Sequence, residues 1–355
     1  METTFHSTKS FYDATRAAVQ KLQRQLIVAQ KELASGRLAD VGATLGSQTR
    51  RTVSMRLDIS RMTKITDTNA TVSTRLDASQ SVISSFSATA EAFLSTLLAS
   101  RSTATGPAIC EQEAKADLVT LIGGLNTAVA GEYLFAGINT DVQPVANYYA
   151  TTTPAPANKQ AVDDAFFATF GTTQAADNTS ITAVAMEDFL NNSTANDFSP
   201  MFEEPAWSAN WSDAWDQNIR SRISTNETIE SSSNANNVAY RKLAQAFTMV
   251  GEMGVQNLNQ AAFQAVVDKA AELIGESIQD LAEESGRLGT VQDRVANANE
   301  RMATQVSILT TQINNLEVVD PYDASTRVTT LMTQLETAYA LTARIQNLRL
   351  LNYLT

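Results

Sequence analysis

The stretch from Asp320 to Leu354 restricts this chain more than any other. Asp320 can cap a helix, Pro321 suits its first position, and Asp323 favours the positive end of the helix dipole. No Gly or Pro follows, and Leu331, Leu335, Ala338, Thr342 and Ile345 recur at alternating spacings of four and three. Leu341, Leu348 and Leu351 widen that stripe. A helix of about thirty residues runs roughly 45 Å. An apolar face of that length needs a partner helix of similar length. The matching stripe stands at the other terminus, in Tyr12, Thr15, Val19, Leu22, Leu26, Ala29 and Leu33. The two ends of the chain are therefore expected to lie together.

Composition fits long helices with shallow, small-residue interfaces, since aromatics make up only 7% while 43% of residues are hydrophobic. The net charge of −12 argues against binding nucleic acid or an anionic membrane surface, and no membrane insertion is expected. No continuous 18-residue apolar run is evident, and the first nine residues lack the apolar centre of a cleavable secretory signal. One cysteine, Cys110, excludes an internal disulfide framework and a Cys-based zinc site.

After Ser35-Gly36 the chain passes through a glycine-punctuated connection (36–47) into a very long helix expected over about 49–102. Met62, Ile65, Val72, Leu76, Ile83, Phe86, Ala90, Phe93 and Leu97 keep its register, and Gly106-Pro107 breaks it. A third helix is expected over about 108–130. Gly131-Glu132-Tyr133-Leu134-Phe135-Ala136-Gly137 then switches to period two and reads as a strand. Residues 138–222 lose helical periodicity and hold five of the seven prolines, so they read as an inserted mixed or β-rich domain that could be excised over about 141–217. Helical pattern resumes near Asn237 and continues through about 260–316.

The expected fold is mainly α: a long antiparallel helical coiled-coil or bundle core formed by the N- and C-terminal halves, with one small insert. The expected division is 1–47 with 317–355 as a terminal polymerisation domain, 48–137 with 223–316 as a long-helix core, and 138–222 as the variable insert. Charge is uneven: through Lys64, eleven basic residues face five acidic ones, a local balance of +6. Solvated helix faces account for this, and so does head-to-tail electrostatic matching between subunits.

Three stretches resemble the flagellin superfamily: Glu32-Leu33-Ala34-Ser35-Gly36-Arg37, the GEYLFAG run at 131–137, and the C-terminal helix with its ending Leu350-Leu351-Asn352-Tyr353-Leu354. The ending is similar to the hook–filament junction branch of that family, whereas flagellins themselves end closer to Leu-Ser-Leu-Leu. The usual Asp-Asp-Pro-Ala-type turn is replaced here by Ala39-Asp40-Val41-Gly42-Ala43. The resemblance implies a structural protein of the bacterial flagellum, exported without a cleaved signal and lying outside the cell. Implied partners are a ring of like subunits, the first hook-associated protein on the hook side, flagellin on the filament side, an export chaperone and the type III export apparatus.

Candidate chemistry is sparse. His6, the single histidine, sits in the uncapped N-terminus, and Cys110 reads as a small helix residue. Glu203-Glu204 and Glu283-Glu284 are adjacent, so on a helix each pair points apart and reads as solvated. Gly123-Gly124 and the GRLGT run at 286–290 lack the spacing of a nucleotide loop. Trp207, Trp211 and Trp215, at i, i+4 and i+8, could form a glycan-stacking stripe but more often anchor a small domain. No enzyme, metal or cofactor is expected. The assembly interface is expected at Val19, Leu22, Leu26, Leu33, Leu331, Leu335, Ala338, Ile345, Leu348 and Leu351. Flagellin itself, or a coiled-coil adaptor whose insert binds a ligand, are the other readings the residues allow.

Overall fold

A computed structural model describes residues 8–191 and 197–351, with side chains over 13–191 and 197–344. Ten α-helices lie among the described residues: α1 (Thr8–Ser35), α2 (Val41–Leu45), α3 (Thr49–Ser100), α4 (Gly106–Leu125), α5 (Ala157–Phe170), α6 (Ala183–Asn191), α7 (Ala206–Asn210), α8 (Val238–Glu252), α9 (Gln260–Glu317) and α10 (Pro321–Leu351). The strands are two short antiparallel hairpins, β1 (Ala128–Val129) with β2 (Glu132–Tyr133), and β3 (Arg220–Arg222) with β4 (Thr228–Glu230). The fold is mainly α, as the two apolar periods require. Two compact units divide the chain: a terminal unit of Met1–Thr63 with Ala303–Thr355, and a central unit of Lys64–Met302.

In the central unit α3 and α9 run antiparallel. Gln80 Nε2 donates to the Ser285 carbonyl (2.7 Å), Asn69 Nδ2 to Asn299 Oδ1 (2.6 Å), and Arg101 forms a two-pronged pair with Asp268 (2.5 and 2.6 Å). Between these polar rungs lies a continuous core of Leu76, Ile83, Phe93 and Leu97 with Ile274, Leu281 and Leu288. Among the described residues one helical stretch, Val41–Ser100, is long and apolar enough to cross a membrane by length and composition alone. In the fold, Phe86, Ala90, Phe93 and Leu97 from the C-terminal part of that helix are buried in the core, where Phe93 meets Phe247 edge-on at 5.3 Å.

Only Glu132-Tyr133 of the GEYLFAG run is strand, joined to β1 by a two-residue turn with Ala130 at φ 55° and Gly131 at φ 87°. Positive φ at both central residues gives the turn the twist that antiparallel strands need. Leu134, Phe135 and Ala136 then enter the core, with Phe135 edge-on to Tyr240 at 5.6 Å. Gly137, at φ 68°, lies so close to the Trp215 carbonyl that an added Cβ would sit 2.1 Å from that oxygen. Gly137→Ala is expected to cost about 3 kcal/mol, the left-handed penalty plus a backbone clash, and to lower the urea midpoint of the central unit. An unchanged midpoint would contradict the close approach.

Among the described residues of 138–222, the short helices α5, α6 and α7 alternate with loops, Val145 bridges to Ser212 and β3 lies at the end. Of the two expected forms, mixed or β-rich, the insert takes the mixed one. Its aromatic side chains form one relay. Phe166, Phe189, Phe198, Phe202, Trp207 and Trp211 pack in succession with centroids 5.1–6.4 Å apart. All belong to the same core as α3, α4, α8 and α9. The insert is thus a departure in chain pattern that shares its core with the long helices.

Candidate assembly interface

Within the terminal unit α1 and α10 run antiparallel. Arg327 pairs with Glu32 at 2.9 Å, and nine residues back along α1 and twelve farther along α10, Gln23 Nε2 donates to the Tyr339 hydroxyl at 2.6 Å. The seam between them is formed by Val19, Leu22, Leu26 and Ala29 facing Ala324, Val328, Leu331, Leu335 and Ala338. Ala29 and Ala324 are buried; the larger members, Val19, Leu22, Leu26, Leu331 and Leu335, are only half-buried. Leu33 is 39% exposed, and Glu32 occupies the seam in its place. Its carboxylate is held there by Arg327 and by the turn that follows α1. The backbone of α10 continues through Ile345, Leu348 and Leu351, whose side chains lie outside the described residues.

The Glu32-to-Arg37 motif has a physical reading here. Buried Glu32 accepts from the Ala39 amide (3.2 Å) as well as from Arg327. Gly36 takes φ 67° to end α1, and its carbonyl accepts from the Val319 amide at 3.0 Å. Leu38 N donates to the Glu317 carbonyl (2.9 Å), and Arg37 reaches Asn314 Oδ1 (2.5 Å). Glu317, 2% exposed at its side chain, receives both prongs from one nitrogen of Arg56 at 2.6 and 2.8 Å. The turn after α1 is thereby fastened to the turn before α10. Asp320 caps α10 through its side chain to the Tyr322 amide (2.8 Å), and Asp40 caps α2 in the same way.

Outside the seam, both helices present apolar side chains to solvent: Ile27 and Val28 on α1, Met332, Tyr339 and Leu341 on α10. One groove of about 420 Å³ lies beside Arg24, Val28, Ala29, Arg327 and Leu331. A second, of about 560 Å³, is walled by Thr329, Thr330, Thr333, Gln334, Thr337 and Leu341. Each of those four threonine hydroxyls donates to the carbonyl four residues back, at 2.8–3.0 Å. Their donors are satisfied within the helix, leaving methyl groups to form the groove wall. This surface was missed in the sequence because threonine scores as polar.

Residues that could carry chemistry are occupied structurally. Cys110 is buried, and desolvation pushes its thiol up, away from reactivity. Among the described residues no cluster of three or more His, Cys, Asp or Glu could hold a metal; His6 lies outside them. Glu203 and Glu204 are exposed, as expected, but Glu284 is buried, a correction. Burial alone would push its carboxyl up, yet hydrogen bonds from Arg287 (2.7 and 2.8 Å) and Ser233 hold it below the usual range. Trp207 and Trp211 are buried and stacked (5.5 Å, 8°), whereas Trp215 lies beyond the end of α7 and is 55% exposed.

Asp117 on α4 is raised to about 7 by burial, with Glu113 adding repulsion. The folded unit therefore holds a proton there that the unfolded chain, titrating near 3.8, has released. Stability falls as pH rises from about 4 through 7. Asp117→Asn is expected to flatten that slope and raise the melting temperature at pH 8 by about 2–4 °C. An unaltered slope in melting curves between pH 5 and 8 would contradict this.

Residues 7–140 match the bacterial flagellin N-terminal helical region, and residues 271–354 match the bacterial flagellin C-terminal helical region. Among solved structures, one from Vibrio parahaemolyticus, provisionally described as a flagellar hook-associated protein, matches with a TM-score of 0.52 at 10% identity. The match covers 77% of this chain and 99% of that one, and at this identity the likeness is one of fold. No curated protein sequence gives a significant match.

Proposed function

This chain belongs to the bacterial flagellin superfamily, a structural and non-enzymatic family of the flagellum, and from that premise we propose that it is a hook-associated protein, FlgL-like, that joins hook to filament. The observation that carries the reading is the state of the terminal helices. Their mutual seam leaves Val19, Leu22, Leu26, Leu331 and Leu335 half-exposed, and their outer faces present Ile27, Val28, Met332, Tyr339 and Leu341. Fully burying a side chain of this size contributes about 1.5–3 kcal/mol relative to leaving it exposed. Several per subunit, repeated round a ring of like subunits, make a firm joint without covalent links. Ile345, Leu348 and Leu351 extend the same interface on this reading.

The partners that follow are the first hook-associated protein on one side and flagellin on the other, after delivery by an export chaperone and the type III export apparatus. The ending Leu350-Leu351-Asn352-Tyr353-Leu354 supports the junction position over the filament. Labelling isolated flagella with a probe specific for this chain tests it. A single band next to the hook is the expected result; decoration along the whole filament would make the chain a flagellin instead.

A further inference from the structure

Charge is segregated between the two units: the terminal unit carries thirteen basic and nine acidic residues, net +4, and the central unit thirteen and twenty-nine, net −16. Each unit also exposes a small apolar patch rimmed by its own sign. On α3, Arg50, Val53, Leu57 and Arg61 recur at spacings of three and four and share one face, and Val53 and Leu57 are 50% and 66% exposed. Asp58, the single acidic residue between Thr49 and Thr63, points about 100° away from Leu57, on the side of Arg51.

In the central unit the segments 136–138 and 215–217 run side by side. Trp215 N donates to the Ala136 carbonyl (3.0 Å), Asp213 N to the Pro144 carbonyl (2.9 Å), and Asp216 accepts from Asn236 Nδ2 (2.6 Å). These bonds fix a backbone that holds Trp215 and Ile138 in solvent, 55% and 50% exposed, with exposed Asp141, Asp213 and Asp216 beside them. A tryptophan 55% exposed on a backbone held by hydrogen bonds fits an interface anchor.

We propose that these two patches dock onto each other between copies: the Arg50–Arg61 face of α3 on one subunit receives the Trp215–Ile138 patch of a second copy of this chain. The proposal rests on the self-assembly read above and names its polar contact. Two apolar residues framed by cations meet two framed by carboxylates, so that charge sets register and the tryptophan supplies burial. The two patches differ, so the contact is head-to-tail and leaves each subunit with one patch free for the next.

Cys110 is buried, so introduced surface thiols react alone. Leu57→Cys chains mixed with Ile138→Cys chains and treated with a short bismaleimide are expected to give mixed dimers at least tenfold above either chain by itself. Arg50→Glu with Arg61→Glu on the first chain should cut the yield at least tenfold. Asp141→Lys with Asp213→Lys on the second should do the same, and combining both reversals should restore it. No mixed dimer, a yield indifferent to charge, or no restoration overturns the proposal. So does cross-linking of Ile138→Cys to a different protein in isolated flagella. A hook-end band without mixed dimers sinks this pairing alone, whereas filament-wide labelling with mixed dimers sinks the junction reading alone.

Discussion

Flagella from cells whose chain carries Leu26→Asp together with Leu335→Asp are expected to lose this subunit, while melting of the central unit stays unchanged. Both residues belong to the half-buried α1–α10 seam. Assembly would desolvate each new carboxylate without a partner, a penalty of about 3–5 kcal/mol per site. The two aspartates also repel each other across the helix pair. Leu26→Ala with Leu335→Ala, which shortens the side chains without charge, should weaken incorporation and not abolish it. The readouts are labelling of isolated flagella and thermal melting followed by near-ultraviolet dichroism, since all three tryptophans lie in the central unit. Normal incorporation of the double aspartate variant would remove the seam from the assembly mechanism. Early melting of the central unit would show that the terminal helices support it.

Excising 141–217 behind a short linker is expected to unfold the central unit. The sequence pattern alone suggests tolerance, because this stretch departs from the helical period on either side. The packing says otherwise: the deletion removes Phe166, Phe189, Phe198, Phe202, Trp207 and Trp211, all buried in the core that α8 and α9 share. It also removes Ser199, whose hydroxyl accepts from Gln245 on α8 at 2.8 Å. Each large aromatic removed from a core costs about 3–5 kcal/mol, so losing six exceeds the whole stability of an ordinary domain. The check is soluble yield and cooperative urea unfolding of the excised chain. A sharp, wild-type-like transition would show that the long helices close their own core.

The long helices were legible because their signals are local and repeated. Asp320-Pro321 opens α10, Asn237 caps α8 through the Ala239 amide (3.0 Å), and Gly36 ends α1, each set by one to four neighbouring residues. The pairing of the two terminal helices was legible for the same reason; at the end of α1, Glu32 is buried because Arg327 and the Ala39 amide hold its carboxylate. What escaped depends on distant partners. Glu284 reads as solvated until Ser233, from the segment before α8, is seen beside it. The three tryptophans read as one stripe, but α7 ends at Asn210, and the backbone of Trp215 is bonded instead to the Ala136 carbonyl, beyond β2, with its side chain left exposed. The helices of the insert were obscured by its prolines and threonines, which mask short helices bounded by loops.

The threonine wall of α10 has a consequence for a protein that must first stay dissolved and later pack against its neighbours. A hydroxyl already bonded to its own helix can still accept hydrogen bonds from water through its remaining lone pair, which keeps the isolated subunit wetted. When a neighbour arrives, stripping that water strands no donor, because the proton already points at a carbonyl. Valine at Thr330, Thr333 and Thr337 would offer the same shape with no hold on solvent, and serine would keep the hydroxyl but give up the methyl. Threonine there makes one surface compatible with two environments, with no change of backbone between them.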